Sequence, residues 1–165
     1  MRLKRQKIPV TFVTDSREQR PWELGPPHRR ELEDHGSIVY ALDAGDYGVE
    51  IDGVLQPIRI ERKSISDLFG VVGHGRERFV RELEKLRDRP AFLIIEATAA
   101  EVKHGYERSL VSGEAAIGSL MCWSIRFGVH VIFAGNRTLA GGLARRLLEE
   151  FAVHVGVNDG AKPTG

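Results

Sequence analysis

The apolar residues of this chain follow two patterns: short runs, and stripes with a helical period. The short runs are rich in β-branched residues and predict strands, which span residues 8–14, 37–42, 47–51, 55–62, 91–95 and 130–133. Asp52-Gly53 stands between the third and fourth runs and is typical of the tight turn of a β-hairpin. The run at 91–95 is apolar throughout, which predicts a strand buried on both faces.

Five segments have the period or the boundary signals of helices. They span residues 27–35, 64–69, 76–87, 112–127 and 139–151. Pro27 is typical of a helix start and Gly36 of a helix end, and the glycine-rich residues 70–75 are expected to interrupt the second segment. In the last segment Leu143, Leu147 and Phe151 share one face and are expected to form its buried stripe.

The order of these segments predicts the fold class. A strand and a helix are followed by three strands, and then by three helical regions that alternate with two strands. This order is typical of an α/β fold with a mixed central β-sheet flanked by helices, antiparallel at the hairpin and parallel where helices cross over. The length of 165 residues suits one domain, expected at residues 1–156, and residues 157–165 are expected to be a disordered tail.

Composition narrows the function classes. Hydrophobic residues make up 42% of the chain and charged residues 28%, which is typical of a globular protein and excludes a disordered one. The formal net charge is only +1, so no overall basic field is present and DNA binding would depend on a local patch such as Arg76, Arg78 and Arg81.

Cysteine, histidine and hydropathy exclude other classes of site. Cys122 is the only cysteine, which excludes an intrachain disulfide and a cysteine-rich zinc site and suits a reducing compartment. The six histidines are scattered without ligand spacing, which argues against a histidine metal site. The basic N-terminus is followed by too short an apolar run for a signal peptide, and no segment approaches the length of a membrane span, so we expect a cytoplasmic protein.

The most informative stretch is Glu61-Arg62-Lys63, which ends an apolar run and follows Gly45-Asp46-Tyr47. Side chains two apart on a strand share a face, so Glu61 and Lys63 are expected to project together and Arg62 to face the other way. Two carboxylates that hold a hard divalent cation, beside an ammonium, are what metal-assisted phosphodiester hydrolysis needs. The pattern favours a DNA nuclease, although Glu-Arg-Lys is also common on solvated helix faces and Asp46 is compatible with a plain turn.

Four motifs occur in an order that resembles the XPF family of structure-specific endonucleases. They are Asp15-Ser16-Arg17-Glu18, Gly45-Asp46-Tyr47, Glu61-Arg62-Lys63 with Asp67 four residues on, and Gly75-Arg76 with Phe79. The resemblance covers residues 8–96 and becomes vaguer up to residue 151. It implies the restriction-endonuclease-like core of many metal-dependent DNA nucleases. Within that core it implies Asp46, Glu61 and Lys63 as catalytic residues and Mg²⁺ or Mn²⁺, held by Asp46 and Glu61, as the cofactor.

The remaining motif residues are divided between metal binding, DNA binding and support. From the resemblance, Asp15 is expected to bind the metal. Arg17, Arg62 and Arg76 are expected to bind DNA, and Glu18 and Asp67 are expected to support the site. Alternatives stay open for three of them. Asp15 could act in the second sphere rather than as a direct ligand. Arg17 could hold a site carboxylate with two nitrogens, and Arg62 could form a core-side ion pair with Asp67 instead of a DNA contact.

The expected function is metal-dependent endonucleolytic cleavage of branched or flapped DNA, in repair, recombination or replication. A Holliday-junction resolvase and a duplex-cutting enzyme on the same core are alternatives. A third alternative is a non-catalytic DNA-binding or scaffold subunit, which the family also contains. The presence of Asp15, Asp46, Glu61 and Lys63 disfavours that last alternative, because such subunits usually lose the acids or the lysine.

DNA is not the only expected partner. Typical family members carry a tandem helix-hairpin-helix domain after the nuclease domain, and none is recognised here, so a separate DNA-binding, replication or recombination protein is expected. The resemblance also implies a homodimer that pairs through residues 112–127 and 139–151, where Met121, Trp123 and Phe151 offer apolar surface. A monomer whose helices only close the core is the alternative.

Overall fold

The structure, a computed structural model, describes residues 6–159, and within them the chain forms seven strands and five helices. The strands are β1 (Ile8–Asp15), β2 (Leu32–Tyr40), β3 (Tyr47–Ile51), β4 (Val54–Leu55), β5 (Arg59–Lys63), β6 (Ala91–Ile95) and β7 (His130–Phe133). The helices are α1 (Ile65–Val72), α2 (Arg76–Leu86), α3 (Ala99–His104), α4 (Gly113–Phe127) and α5 (Arg137–Asp159). No helix in this part of the chain is long and apolar enough to cross a membrane.

All seven strands belong to one mixed sheet with the order β2-β1-β3-β5-β6-β7, and β4 pairs with β3 at its end. β3 is antiparallel to β1, β4 and β5, whereas the pairs β1–β2, β5–β6 and β6–β7 are parallel. The predicted mixed sheet is therefore confirmed. The predicted hairpin turn is confirmed too, because Asp52 and Gly53 both have positive φ and join a two-residue β-hairpin.

The sheet separates two apolar layers. Strand β6 shows the division most clearly: Leu93 and Ile95 point to the layer that holds α1, α2 and α4, whereas Ile94 points to the layer that holds α5. The side chains of all three are fully buried, as expected for the predicted central strand. Both faces of the sheet are thus covered, which leaves the strand ends as the place where polar side chains can gather.

The helix predicted at residues 27–35 is wrong. Residues 27–31 are irregular, and residues 32–35 begin β2, which pairs in parallel with β1 and contains a bulge at Gly36, where φ is +87°. The segment has a single apolar residue that it can bury, Leu32, so a helix here would have no stripe to pack. Residues 16–31, which connect β1 to β2, contain no helix and are held instead by Trp22 and Leu24, buried against α5.

Other differences concern the boundaries of two elements and one helix that was not predicted. The fourth predicted strand is divided into β4 and β5 around Pro57, which has no N–H to donate to a ladder. Helix α1 continues through Gly70 to Val72 and ends at Gly73, so the interruption is shorter than predicted. Helix α3 was not predicted, although Thr98 and Glu101 form the capping box that marks its start.

The stripe predicted for the last helix is also wrong. The apolar residues of α5 that are fully buried are Ala140, Ala144, Leu148 and Ala152. Leu143 is exposed, while Leu147 and Phe151 are half-buried. Small residues face the core because α5 lies close to the sheet and to Trp22, whose ring would be 3.3 Å from a methyl group at Gly141. Residues 157–159 end α5, and the rest of the predicted tail lies outside the described residues.

Candidate active site

Strand β5 brings Glu61 and Lys63 to one face of the sheet, as predicted from their spacing. The Lys63 ammonium donates to Glu61 Oε1 at 2.5 Å and to the Arg62 carbonyl at 3.2 Å, and it lies 4.6 Å from the centre of the Phe79 ring. Helix α1 begins directly after the strand, with Ser64 as its N-cap. Lys63 thus lies between a strand and a helix that are both fixed, and its ammonium has a defined position beside Glu61 and Phe79.

Asp46 reaches the same place from the turn before β3. Its N–H donates to the Ile60 carbonyl at 2.8 Å and its carbonyl accepts from the Asp15 N–H at 2.7 Å, so its backbone is tied to both neighbouring strands. Its Oδ2 accepts from the Arg62 N–H at 2.8 Å. Gly45 makes this approach possible, because φ is +70° there and a methyl group would lie 3.2 Å from the Ile60 oxygen.

Burial and charge govern the ionisation of these side chains. Burial, followed by repulsion from Glu61, raises the pKa of Asp46 to about 8. Burial alone would lower the pKa of Lys63, but the attraction of Glu61 and then of Asp46 outweighs burial and raises that pKa. A bound cation would offset the repulsion between Asp46 and Glu61 and would favour the ionised form of Asp46.

The donor set fits a hard cation such as Mg²⁺ or Mn²⁺. It consists of the Asp46 and Glu61 carboxylates and the Arg62 carbonyl: the Lys63 ammonium contacts Glu61 and this carbonyl, and the Arg62 N–H contacts Asp46. Ions of this kind take oxygen ligands and retain water, so two carboxylates suffice. Within residues 6–159, no group of three or more histidine, cysteine, aspartate or glutamate side chains is arranged to hold a metal, so a ligand cage made of protein side chains alone is absent there.

Asp15, the expected third metal ligand, is occupied by other contacts. Its Oδ1 accepts from the N–H and Nε of Arg17 at 2.8 and 2.9 Å, and its Oδ2 accepts from Arg17 Nη2 at 2.8 Å and from the Leu42 N–H at 2.7 Å. Burial opposes ionisation, but these hydrogen bonds outweigh it and lower the pKa of Asp15. The geometry gives Asp15 an anchoring position and agrees with the alternative in which Arg17 holds a site carboxylate with two nitrogens.

Arg62 lies on the opposite face of the sheet and forms an ion pair, which agrees with one of its two expected roles. Its guanidinium donates to Glu96 at 2.7 and 3.1 Å and contacts Glu18 at 3.4 Å, and only 7% of the side chain is exposed. The expected partner Asp67 instead completes the capping box of α1. Glu96 also accepts from Trp22 Nε1 at 2.7 Å.

Glu96 and Trp22 were not predicted as residues of this region. Glu96 follows the buried strand β6, and its position at that strand end next to β5 was the available signal. Trp22 lies in an irregular segment, and no periodicity relates it to the site. Its indole stacks on the ring of Tyr47, the residue directly after Asp46, with 4.8 Å between the ring centroids.

Arg76, an expected DNA contact, lies elsewhere. Its Nη1 donates to Ser119 Oγ at 2.8 Å and its guanidinium lies 5.2 Å from the Trp123 ring, so the side chain links α2 to α4. A pocket of about 240 Å³ opens instead beside Asp46 and Lys63. The other residues that line it are Arg17, Glu18, Gln19, Arg20, Arg62 and Asp67. Charged and polar side chains dominate its wall, which suits a charged substrate.

Comparisons with known proteins agree with this architecture. The sequence model of the ERCC4 domain matches residues 14–145. Among solved structures, XPF from Aeropyrum pernix is similar with a TM-score of 0.60 and 19% identity, and XPF from Aeropyrum pernix in complex with DNA with a TM-score of 0.59 and 20% identity. No curated protein matches the chain.

The alignments also define how far this similarity extends. Each covers 87% of this chain but 65% of the Aeropyrum chain, so this chain spans less than two-thirds of those proteins. Similarity at this level of identity establishes a shared fold. The resemblance to the XPF family and the restriction-endonuclease-like α/β core that it implied are both confirmed.

Proposed function

Because this chain belongs to the ERCC4 domain family, we propose that it is a divalent-metal-dependent DNA endonuclease that hydrolyses phosphodiester bonds. One observation carries the proposal: Asp46 and Lys63 line a polar pocket, and the Lys63 ammonium contacts the Glu61 carboxylate. A buried carboxyl group with a raised pKa, here Asp46, beside a second carboxylate and an ammonium in a pocket is a common feature of catalytic sites.

Each residue of the site has a distinct part in this chemistry. Mg²⁺ or Mn²⁺, when bound by Asp46 and Glu61, would supply positive charge to the phosphate and lower the pKa of a water molecule. The Lys63 ammonium is held by Glu61 and can stabilise the charge that grows on the phosphoryl oxygens. Arg20 lines the same pocket and offers a positive group for the DNA backbone.

We propose branched or flapped DNA as the substrate, in repair, recombination or replication. The resemblance to structure-specific endonucleases supports this choice, and one similar structure is an XPF in complex with DNA. A Holliday-junction resolvase and a duplex-cutting nuclease are alternatives on the same core. The non-catalytic scaffold is disfavoured, because Lys63 and Glu61 contact each other and Asp46 lies beside them.

We also propose a homodimer and a separate DNA-binding or recombination protein as partners. Of the residues expected to supply apolar surface, Trp123 is buried and Phe151 half-buried, and only Met121 is exposed. The exposed apolar residues of the two helices are Met121 and Ile125 on α4 and Leu139 and Leu143 on α5. Each pair is spaced one helical turn apart, so each helix offers a continuous apolar strip to a second subunit.

The proposed function is tested with labelled flap, fork, four-way-junction and duplex DNA, with and without Mg²⁺ or Mn²⁺. Cleavage is expected only with the cation, and the panel distinguishes the three kinds of nuclease. Asp46→Asn and Glu61→Gln are expected to abolish cleavage while the fold and DNA binding stay intact. The controls are Asp88→Asn and Glu77→Gln, in two carboxylates outside the pocket. Full activity in Asp46→Asn or Glu61→Gln would refute the assignment.

The same assay separates the part of Lys63 from that of the carboxylates. Lys63→Ala leaves both acids in place, so turnover is expected to fall by about 10²–10⁴ while the affinity for the cation changes little. Lys63→Arg keeps the positive charge but cannot release a proton near neutral pH. Full activity of Lys63→Arg would indicate a role of charge alone, and full activity of Lys63→Ala would contradict the nuclease proposal.

A further inference from the structure

Arg59 is a charged residue at a position of β5 where the neighbouring residues are apolar. It is 3% exposed and stands between Ile58 and Ile60, which are 1% and 0% exposed. By strand alternation it lies on the same face as Glu61 and Lys63. A buried arginine is costly to desolvate, and an apolar side chain of similar volume would often be equally stable there. Its presence therefore calls for a role other than filling the core.

The guanidinium of Arg59 is held by a set of short contacts. Its Nε and Nη2 donate to Asp43 Oδ1 at 3.1 and 2.9 Å, and its Nη1 donates to the carbonyls of Gln56 and Ile58 at 2.5 and 2.8 Å. The two carbonyls belong to the segment that leads into β5. Arg59 thus fixes Asp43 with respect to the strand that carries Glu61 and Lys63.

Asp43 has a second arginine on its other oxygen. Arg89 Nη2 donates to Asp43 Oδ2 at 2.8 Å, and Arg89 stands just before β6. The Asp43 side chain itself is 55% exposed. Its carboxylate is therefore clamped between β5 and the entrance of β6 without being part of the apolar core.

The clamped residue lies three positions before Asp46. Between them, Gly45 packs directly on Arg59, whose Cβ would be 3.2 Å from a methyl group at the glycine. The other end of the segment is fixed by the hydrogen bonds that Asp46 makes to Ile60 and Arg62. The short stretch from Asp43 to Asp46 is thus attached to β5 at both ends.

We propose that Arg59, through Asp43 and with Arg89, is a positioning residue that sets where the Asp46 carboxylate lies relative to Glu61. This inference rests on the proposed function, in which those two carboxylates hold the cation together. Residues that orient metal ligands through a second contact typically change metal affinity or activity 10–100-fold when they are removed. Arg59 lies outside the motifs that carry the family resemblance.

The test uses Asp43→Ala, which releases the clamp at an exposed side chain and leaves the carbonyl contacts of Arg59 in place. The matched control is Glu150→Ala, since Glu150 is also a partly exposed carboxylate paired with two arginines, Arg29 and Arg146. The first measurement is hydrogen exchange at two amides: that of Arg62, which donates to the Asp46 carboxylate, and that of Asp46, which donates to the Ile60 carbonyl and holds the backbone of Asp46. The second is the affinity for Mn²⁺, measured by calorimetry.

Asp43→Ala is expected to speed exchange at both amides about tenfold or more and to weaken Mn²⁺ binding about tenfold, whereas Glu150→Ala changes neither. Arg59→Met is expected to act in the same direction and confirms the result from the other side of the contact. Unchanged exchange at both amides in Asp43→Ala would overturn the inference. A wild-type protein without affinity for Mn²⁺ would refute the proposed function instead, and the exchange rates would still decide the positioning role.

Discussion

Asp46 is a carboxylate whose surroundings disfavour its charge. Burial and the neighbouring Glu61 raise the pKa of Asp46 to about 8, from its ordinary value of 3.8. Between those pH values the folded protein keeps a proton that the unfolded chain has released. The contribution of this group to stability is therefore full below the unfolded pKa and is lost as the pH rises through the folded pKa.

This sign gives a pH prediction for the protein in the presence of a chelator. The free energy of unfolding is expected to fall between about pH 5 and pH 8, by at most about 1.4 kcal/mol per pH unit from this group. Asp46→Asn is expected to flatten the profile, whereas Asp88→Asn, outside the pocket, keeps the wild-type slope. Urea unfolding at several pH values measures this. Parallel profiles for wild type and Asp46→Asn would contradict the prediction.

At the level of single residues, the two-residue alternation of a strand predicted the directions of the side chains, which the motifs alone did not. Glu61 and Lys63 share a face and Arg62 opposes them, because alternation is a local property of an extended chain. The partner of Arg62 was not predictable in this way. Glu96 reaches it from a strand more than thirty positions along the chain, and only the pairing of β5 with β6 brings the two together.

Among the elements, α3 and α4 depend on one glycine at their contact. Gly113 is the first residue of α4, and a methyl group there would overlap the carbonyl group of Lys103 in α3. Gly118, in the middle of α4, has open space around it. The same substitution is therefore expected to have opposite effects at these two positions.

Gly113→Ala is expected to lower the free energy of unfolding by about 1–3 kcal/mol, because the backbone of α3 must move. Gly118→Ala is expected to raise it by about 0.5–1 kcal/mol through helix propensity alone. Urea unfolding at one protein concentration compares the two variants. If the free energy of unfolding of Gly113→Ala equalled that of the wild type, the two helices could separate without cost, and the described packing would be wrong.

The sequence predicted those elements whose signals are local. The hairpin turn and the buried strand β6 were predicted within a residue or two, because turn chemistry and an uninterrupted apolar run leave little choice. The register of α5 was wrong since its core-facing residues are alanines, and the larger leucines that mark a stripe in the sequence lie at its edge or in solvent. The second half of β2 lies within the strand predicted at residues 37–42, but its first half, residues 32–35, could not be distinguished from a helix without knowing that β1 pairs with it.

For the whole molecule, the proposed homodimer gives a prediction about mass. Light scattering at micromolar concentration is expected to give twice the 18.4 kDa of one chain. Ile125→Glu places a charge in the exposed strip of α4 and is expected to yield a monomer. Leu110→Glu is the control, because Leu110 is fully exposed on the loop before α4. A monomer mass for the wild type, unchanged when flap DNA is added, would reject the dimer.

One side of the pocket is held in place by α5, which is synthesised well after the residues that line the pocket. Residues 16–31 are fastened to α5 by the His28 N–H, which donates to Glu149 at 2.6 Å, and by Arg137, which donates to the Arg20 carbonyl at 2.9 Å. These contacts join positions 121 and 117 residues apart. Asp46, Glu61 and Lys63 leave the ribosome long before α5 does. During translation the carboxylates can therefore assemble with β1 and β5 while residues 16–31 are still unfastened, so the nascent chain completes this side of the pocket only after α5 has been made.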